Sequence, residues 1–181
     1  MEFNAWSKAD EEVVAGHHPV LHVLGSSMNQ QETVKVSMAG LMLVGSLIDA
    51  GAVAVKGKSA GIAPGLDRWK ELVRQGGEAL KSGDMLTQQR IGRLAFAKRP
   101  LSAGRWTVSV FILWELPEVH IPVSVGDERQ AVATIDGVGD DIAKRGLQAV
   151  LKQRHASHSF GSTHGVDEFK FNPYGIVRLS G

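Results

Sequence analysis

The first regular pattern in the chain is the alternation Val20-Leu21-His22-Val23-Leu24, rich in β-branched residues, which predicts a strand. Gly25-Ser26-Ser27 ends it, and Ser27 or Asn29 can cap a following helix. Apolar residues then recur at Val34, Met38, Leu41, Met42 and Ile48, close to helical spacing, so a helix is expected over Gln31–Ala50. Its small residues Ala39, Gly40 and Gly45 suit a close approach to a neighbouring backbone, and Gly51 is a natural stop. Val53–Lys56 reads as a second strand. Strand, helix and strand in this order form a βαβ unit, which favours parallel pairing.

The middle of the chain continues the alternation of elements. Leu66, Trp69, Leu72, Val73 and Leu80 share one face of a helix over Leu66–Leu80, which Gly76-Gly77 is expected to fray or break. Gln89–Ala97 and Trp106–Leu116 read as strands. The run Thr107–Trp114 is the strongest strand signal, and its nearly continuous apolarity predicts a central position. Pro117 and Pro122 bracket Glu118-Val119-His120-Ile121. Ala131, Ile135, Val138 and Ile142 then define a helix opened by Asp127 and Glu128, with a break near Gly146. Glu168–Phe171 and Ile176–Leu179 flank the turn sequence Asn172-Pro173-Tyr174-Gly175 and predict a C-terminal hairpin. The expected architecture is α+β: a single domain over residues 19–181 after a polar lead-in of residues 1–18, which carries a short helix over Asp10–Ala15. Its sheet is mixed, with helices mainly on one face, a βαβ start and the terminal hairpin.

Composition removes several functions. Lys and Arg number 20 against 19 Asp and Glu, a net charge of +1, so bulk electrostatics give no reason to expect nucleic acid as a partner. Cys is absent, which excludes disulfide scaffolds, thiolate zinc sites, iron–sulfur clusters and cysteine nucleophiles. The longest apolar stretch, Met38–Ile48, is too short to cross a bilayer, and no signal-peptide pattern opens the chain. A cytoplasmic protein without membrane contact is expected. Gly contributes 21 of the 181 residues, spread through helices, breaks and tail.

Familiar catalytic motifs fail on spacing or context. Gly57-Lys58-Ser59 resembles the end of a phosphate-binding loop, but Ala52 stands where that loop needs its first Gly. Gly161-Ser162-Thr163-His164-Gly165 resembles a nucleophile elbow, but a strand rather than a helix should follow it. His155, His158 and His164 lie within ten residues. With His155 and His158 on one helical face and His164 as third ligand they could hold zinc, with Asp167 or Glu168 in support. Glu115, Glu118 and His120 follow the strongest strand and could serve acid–base chemistry, though ordinary edge polarity explains them better. Lys98, Arg99 and Arg105 beside Trp106 are too few for a nucleic-acid patch. Asp136, Asp140 and Asp141 with Lys144 and Arg145 read as a solvated, paired helix face.

The pieces Val20–Leu24, Val34–Ala50, Ala52–Val55, Pro64–Trp69, Phe111–Pro122 and Ala131–Ile142, above all Glu118-Val119-His120-Ile121-Pro122, together resemble the bacterial family of unknown function labelled domain 4261. That resemblance implies an α+β fold and brings no catalytic residues with it. The expected function is therefore non-catalytic: binding of another protein or of a second copy, as immunity or antitoxin proteins do. The alternative is a metal-dependent enzyme or metal-binding protein using His155, His158 and His164. A small-ligand or phosphate-binding domain, with its loops after Leu24 and Val55, is the third reading.

Overall fold

The computed structural model describes residues 20–23, 29–56, 65–97, 101–102, 105–107, 114–122, 124, 128–160 and 173–179, with Glu12, Ala15 and Gly16. The fold is α+β. Contacts gather the chain into two compact units, Met1–Phe96 and Ala97–Gly181. Ahead of the first full helix, Glu12 and Ala15 are helical and the Gly16 N–H donates to the Glu12 carbonyl at 3.2 Å, in line with the short N-terminal helix expected there.

The first unit is built on three mutually packed helices: α1 (Thr33–Asp49), α2 (Leu66–Ser82) and α3 (Met85–Phe96). Asn29 opens α1. Its Oδ1 accepts the Glu32 N–H at 3.0 Å and its carbonyl accepts the Thr33 hydroxyl at 2.7 Å, satisfying groups that a helix start leaves without partners. Gly51 closes the helix with φ 100°, as expected. The Gly51 N–H donates to Ile48 O and the Ala52 N–H to Leu47 O, a Schellman pattern. The core gathers Met38, Leu41 and Ile48 from α1, Trp69 and Leu72 from α2, and Ile91 and Ala95 from α3.

Three expectations for this unit are corrected. Residues 20–23 and 52–56 are not strands, so the βαβ start is not formed; these are also two pieces of the pattern resemblance described above. Val20, Leu21 and Val23 are exposed, and the segment from Ala52 instead returns across α2, where the Val55 carbonyl accepts the Trp69 indole N–H at 3.2 Å. Of the stretch Gln89–Ala97, expected as a strand, residues 89–96 are helical. Asp84 starts that helix by accepting the Thr87 N–H at 3.1 Å and its hydroxyl at 2.6 Å, and Gln88, Ile91, Gly92 and Ala95 then recur at helical spacing on the buried side. Nor does Gly76-Gly77 break α2, which runs unbroken to Ser82.

The second unit holds a mixed five-stranded sheet. Its strands are β1 (Leu101–Ser102), β2 (Arg105–Thr107), β3 (Glu118–Pro122), β4 (Ser157–Ser159) and β5 (Ile176–Arg178), in the spatial order β1-β2-β3-β5-β4. Among the described strands, only β3 and β5 pair in parallel. The chain between them forms α4 (Glu128–Arg145), α5 (Leu147–Arg154) and β4, so a helical crossover does join parallel strands, at the opposite end of the chain from the one expected. α4 lies against β2 and β3, and its Ala131, Ile135, Val138 and Ile142 are buried, the stripe foreseen from the sequence. Gly146, with φ 82°, makes the foreseen break before α5.

Of the long strand expected over Trp106–Leu116, Trp106 and Thr107 lie in β2, residues 108–113 lie outside the described residues, and Trp114–Leu116 is a turn in which Glu115 takes φ 58°. The expected hairpin partner, 168–171, also lies outside the described residues. Both edges of β5 are taken, by β3 and by β4, so its antiparallel neighbour is Ser157–Ser159.

Candidate functional site

The central strand β3 carries Glu118-Val119-His120-Ile121, and all four side chains are buried. Side chains alternate across a strand, so Val119 and Ile121 supply one apolar face while Glu118 and His120 share the other. Read as a strand exit from its two flanking prolines, this stretch is in fact the middle of the sheet. Its register is fixed by the Glu118 N–H, which donates to the Gly175 carbonyl at 3.0 Å, and by the His120 carbonyl, which accepts the Leu179 N–H at 3.1 Å.

On that shared face His120 Nε2 lies 3.3 Å from Glu118 Oε2. Facing a carboxylate, which only accepts, Nε2 is the donating nitrogen of the ring. The other ring nitrogen, Nδ1, is buried and has no hydrogen-bond partner among the described residues. Parallel pairing sets His120 opposite Arg178, and antiparallel pairing sets Arg178 opposite Ser157. Arg178 Nη1 donates to Ser159 Oγ at 2.5 Å. Glu118, His120, Arg178, Ser157 and Ser159 thus occupy one face of three adjacent strands. Burial falls across them, from the enclosed Glu118–His120 pair through half-buried Arg178 and Ser159 to exposed Ser157.

This arrangement is not a nucleophilic triad. β5 separates β4 from β3, which puts Ser159 about two strand spacings, ~9–10 Å, from the His120 backbone. The Ser159 hydroxyl is held by Arg178, and His120 keeps its Nε2 on Glu118. The face offers a fixed cation, an unpaired imidazole nitrogen and hydroxyls, which is equipment for holding a polar ligand.

The histidines singled out for zinc are placed differently from one another. His155 is exposed and ends α5 with φ 48°; the Ala156 N–H donates to Leu151 O at 3.0 Å as the chain turns away from the helix. His155 and His158 therefore do not share a helical face, because the helix ends at Arg154, before either of them. His158 lies in β4, its Nε2 2.7 Å from the Tyr174 carbonyl and its ring edge-on to Phe160, with centroids 4.8 Å apart. His164, Asp167 and Glu168 lie outside the described residues. Among the described residues, no three His, Asp or Glu side chains gather to hold a metal ion. The residues 57–59 and 161–165, and Lys98 and Arg99, also lie outside the described residues. Glu115 is exposed on its own turn.

The solvated pairing expected on α4 is present. Asp141 contacts Arg145 at 3.0 Å, and Arg154 of α5 at 2.7 Å, which fastens the two helices. The hydrogen bond from Arg154, reinforced by the charge of Arg145, holds the Asp141 carboxyl below its ordinary range against the opposing effect of partial burial.

Sequence reasoning missed Arg178 and the placement of Ser159. The available signal was the period-two spacing of Glu118 and His120, matched by the spacing of Ile176 and Arg178. Among the described residues, no helix is long and apolar enough to cross a membrane. No protein-family model, no curated protein and no solved structure matches this chain.

Proposed function

We propose that this protein works by binding another protein, through the surface of its first unit. One observation carries this reading. Among the described residues, nine large apolar side chains are exposed: Val20, Leu21, Val23, Leu43, Val53, Leu80, Met85, Leu86 and Phe160; all but Phe160 belong to the first unit. Single exposed apolar residues are ordinary, but a concentration of them marks an interaction surface. Leu80, Met85 and Leu86 crowd the corner where α2 turns into α3, between 42% and 53% exposed. Val20, Leu21 and Val23 add a β-prone stretch that takes no regular structure and is 53–70% exposed.

Affinity capture from the native host, followed by mass spectrometry, tests the proposal. A stoichiometric partner should be retained by the wild type and lost from Leu86→Asp, an exposed position in the first turn of α3 where an acidic residue suits the helix start. Retention of every partner by a folded Leu86→Asp/Leu80→Asp variant would overturn it.

A further inference from the structure

We infer that the polar face of the sheet in the second unit is a binding site for an oxyanion that also carries an O–H group, hydrogenphosphate being the simplest example. The site lies between Arg178 and His120, which face each other across the parallel pair β3–β5.

Arg178 supplies the anion preference. It is half-buried, and among the described residues it contacts no carboxylate; its side-chain bond goes to the neutral Ser159 hydroxyl. A partly desolvated guanidinium gains by meeting an anion, and its planar fork of N–H donors matches phosphate oxygens. Ser159 holds one arm of that fork and so orients the remaining donors without occupying them.

His120 supplies the demand for an O–H. With Nε2 donating to Glu118, the buried Nδ1 of a neutral imidazole presents a lone pair, and among the described residues no group satisfies it. A buried polar atom without a partner carries an uncompensated desolvation cost, which a ligand recovers by donating to it. A bare oxyanion cannot donate. One that keeps a hydroxyl can place its charged oxygens on Arg178 and its O–H on Nδ1, across strands spaced about 4.8 Å apart. Glu118 fits the same selection: its carboxylate, one position back on this face, disfavours an anion that brings charge but no proton. The rise in burial from Ser157 to Glu118 leaves the Arg178 side as the entrance.

Isothermal titration of the full chain with inorganic phosphate and, separately, with sulfate tests the assignment near neutral pH, where phosphate retains an O–H and sulfate has none. Saturable phosphate binding is expected, at least tenfold tighter than sulfate, and weakened at least tenfold in Arg178→Gln. Ser159→Ala should weaken it several-fold while leaving the far-ultraviolet circular dichroism unchanged. Equal affinity for sulfate would overturn the role given to His120. An unchanged affinity in folded Arg178→Gln, or no saturable phosphate binding at millimolar concentration, would overturn the site itself. If Arg178→Gln does not fold, Arg178→Lys replaces it, with the same tenfold loss expected because an ammonium lacks the fork. The surface proposed for protein binding lies on the first unit, and Leu86→Asp should leave phosphate binding unaltered, so the two readings fail separately.

Discussion

Gly76 of α2 meets Leu41 of α1 so closely that a Cβ on the glycine would lie 2.7 Å from Leu41 Cδ2. Leu41 is fully buried, so its methyl has no open space to retreat into. The neighbouring Gly77 has nothing within 4 Å of the same construction. Alanine gains about 1 kcal/mol of helix propensity over glycine at either position. Gly77→Ala should therefore stabilise the chain by about 0.5–1 kcal/mol. Gly76→Ala should fall below it by the cost of overpacking, about 1–3 kcal/mol. Urea unfolding of the two variants side by side reads that difference, and equal midpoints would show that the α1–α2 contact is looser than the geometry states.

Four helices give way to a residue with positive φ, and they do not all use the same amino acid. Gly51, Gly83 and Gly146 take φ 100°, 70° and 82°, whereas α5 ends on His155 at φ 48°. A side chain in this region costs energy that glycine avoids. His155→Gly should raise stability by about 0.5–1 kcal/mol, part of the gain being offset by the greater freedom of glycine in the unfolded chain. Thermal unfolding checks this. A lowered Tm would mean that the imidazole stabilises the α5 terminus through a contact of its own.

The helix ends were among the most legible features of the sequence, because glycines past an apolar stripe state their purpose locally. Gly51 and Gly146 were read correctly, as was the buried stripe of α4. The errors share a cause: short apolar runs do not distinguish strand from helix. Apolarity in the stretch 89–97 fits a strand as readily as a helix, and the deciding signal is the start at Asp84, an Asp three residues before Thr87 that caps the helix. Val20–Val23 has strand composition, but a strand exists only when another pairs with it, and composition carries no information about partners. The candidate site was half visible. The spacing of Glu118 and His120 declares a shared face, whereas Arg178 and Ser159 join them only through pairings made across 58 and 17 residues of chain, His120 with Arg178 and Ser159 with Ile176.

The Asp141 bridge sets a pH and salt dependence. Its carboxyl is held below the ordinary range in the folded state, chiefly by Arg154. The stability it contributes is present above the unfolded carboxyl value, near pH 4, and is lost as pH falls through the lower folded value. The group is partly exposed, so the contribution is small, about 0.2–1 kcal/mol. Asp141→Asn should be less stable than the wild type by that amount at pH 7 in low salt. The gap should narrow toward pH 2 and in 1 M salt. A gap that widens on acidification would contradict the assignment.

The Glu118–His120 pair can be separated into a structural cost and a binding role. Both side chains are enclosed, and each provides the other's hydrogen bond. Removing one partner of a buried pair leaves the other without compensation, which costs about 3–5 kcal/mol, whereas replacing both by apolar groups of similar volume is often neutral. His120→Leu should therefore be severely destabilised, and adding Glu118→Met should recover more than half of the loss. Chemical denaturation of the two single variants and the double variant closes the cycle. If the double variant is as unstable as the sum of the singles, the pair is not a mutually compensating unit. If the double variant regains stability yet no longer binds phosphate, the buried polar pair is retained for the ligand rather than for the fold.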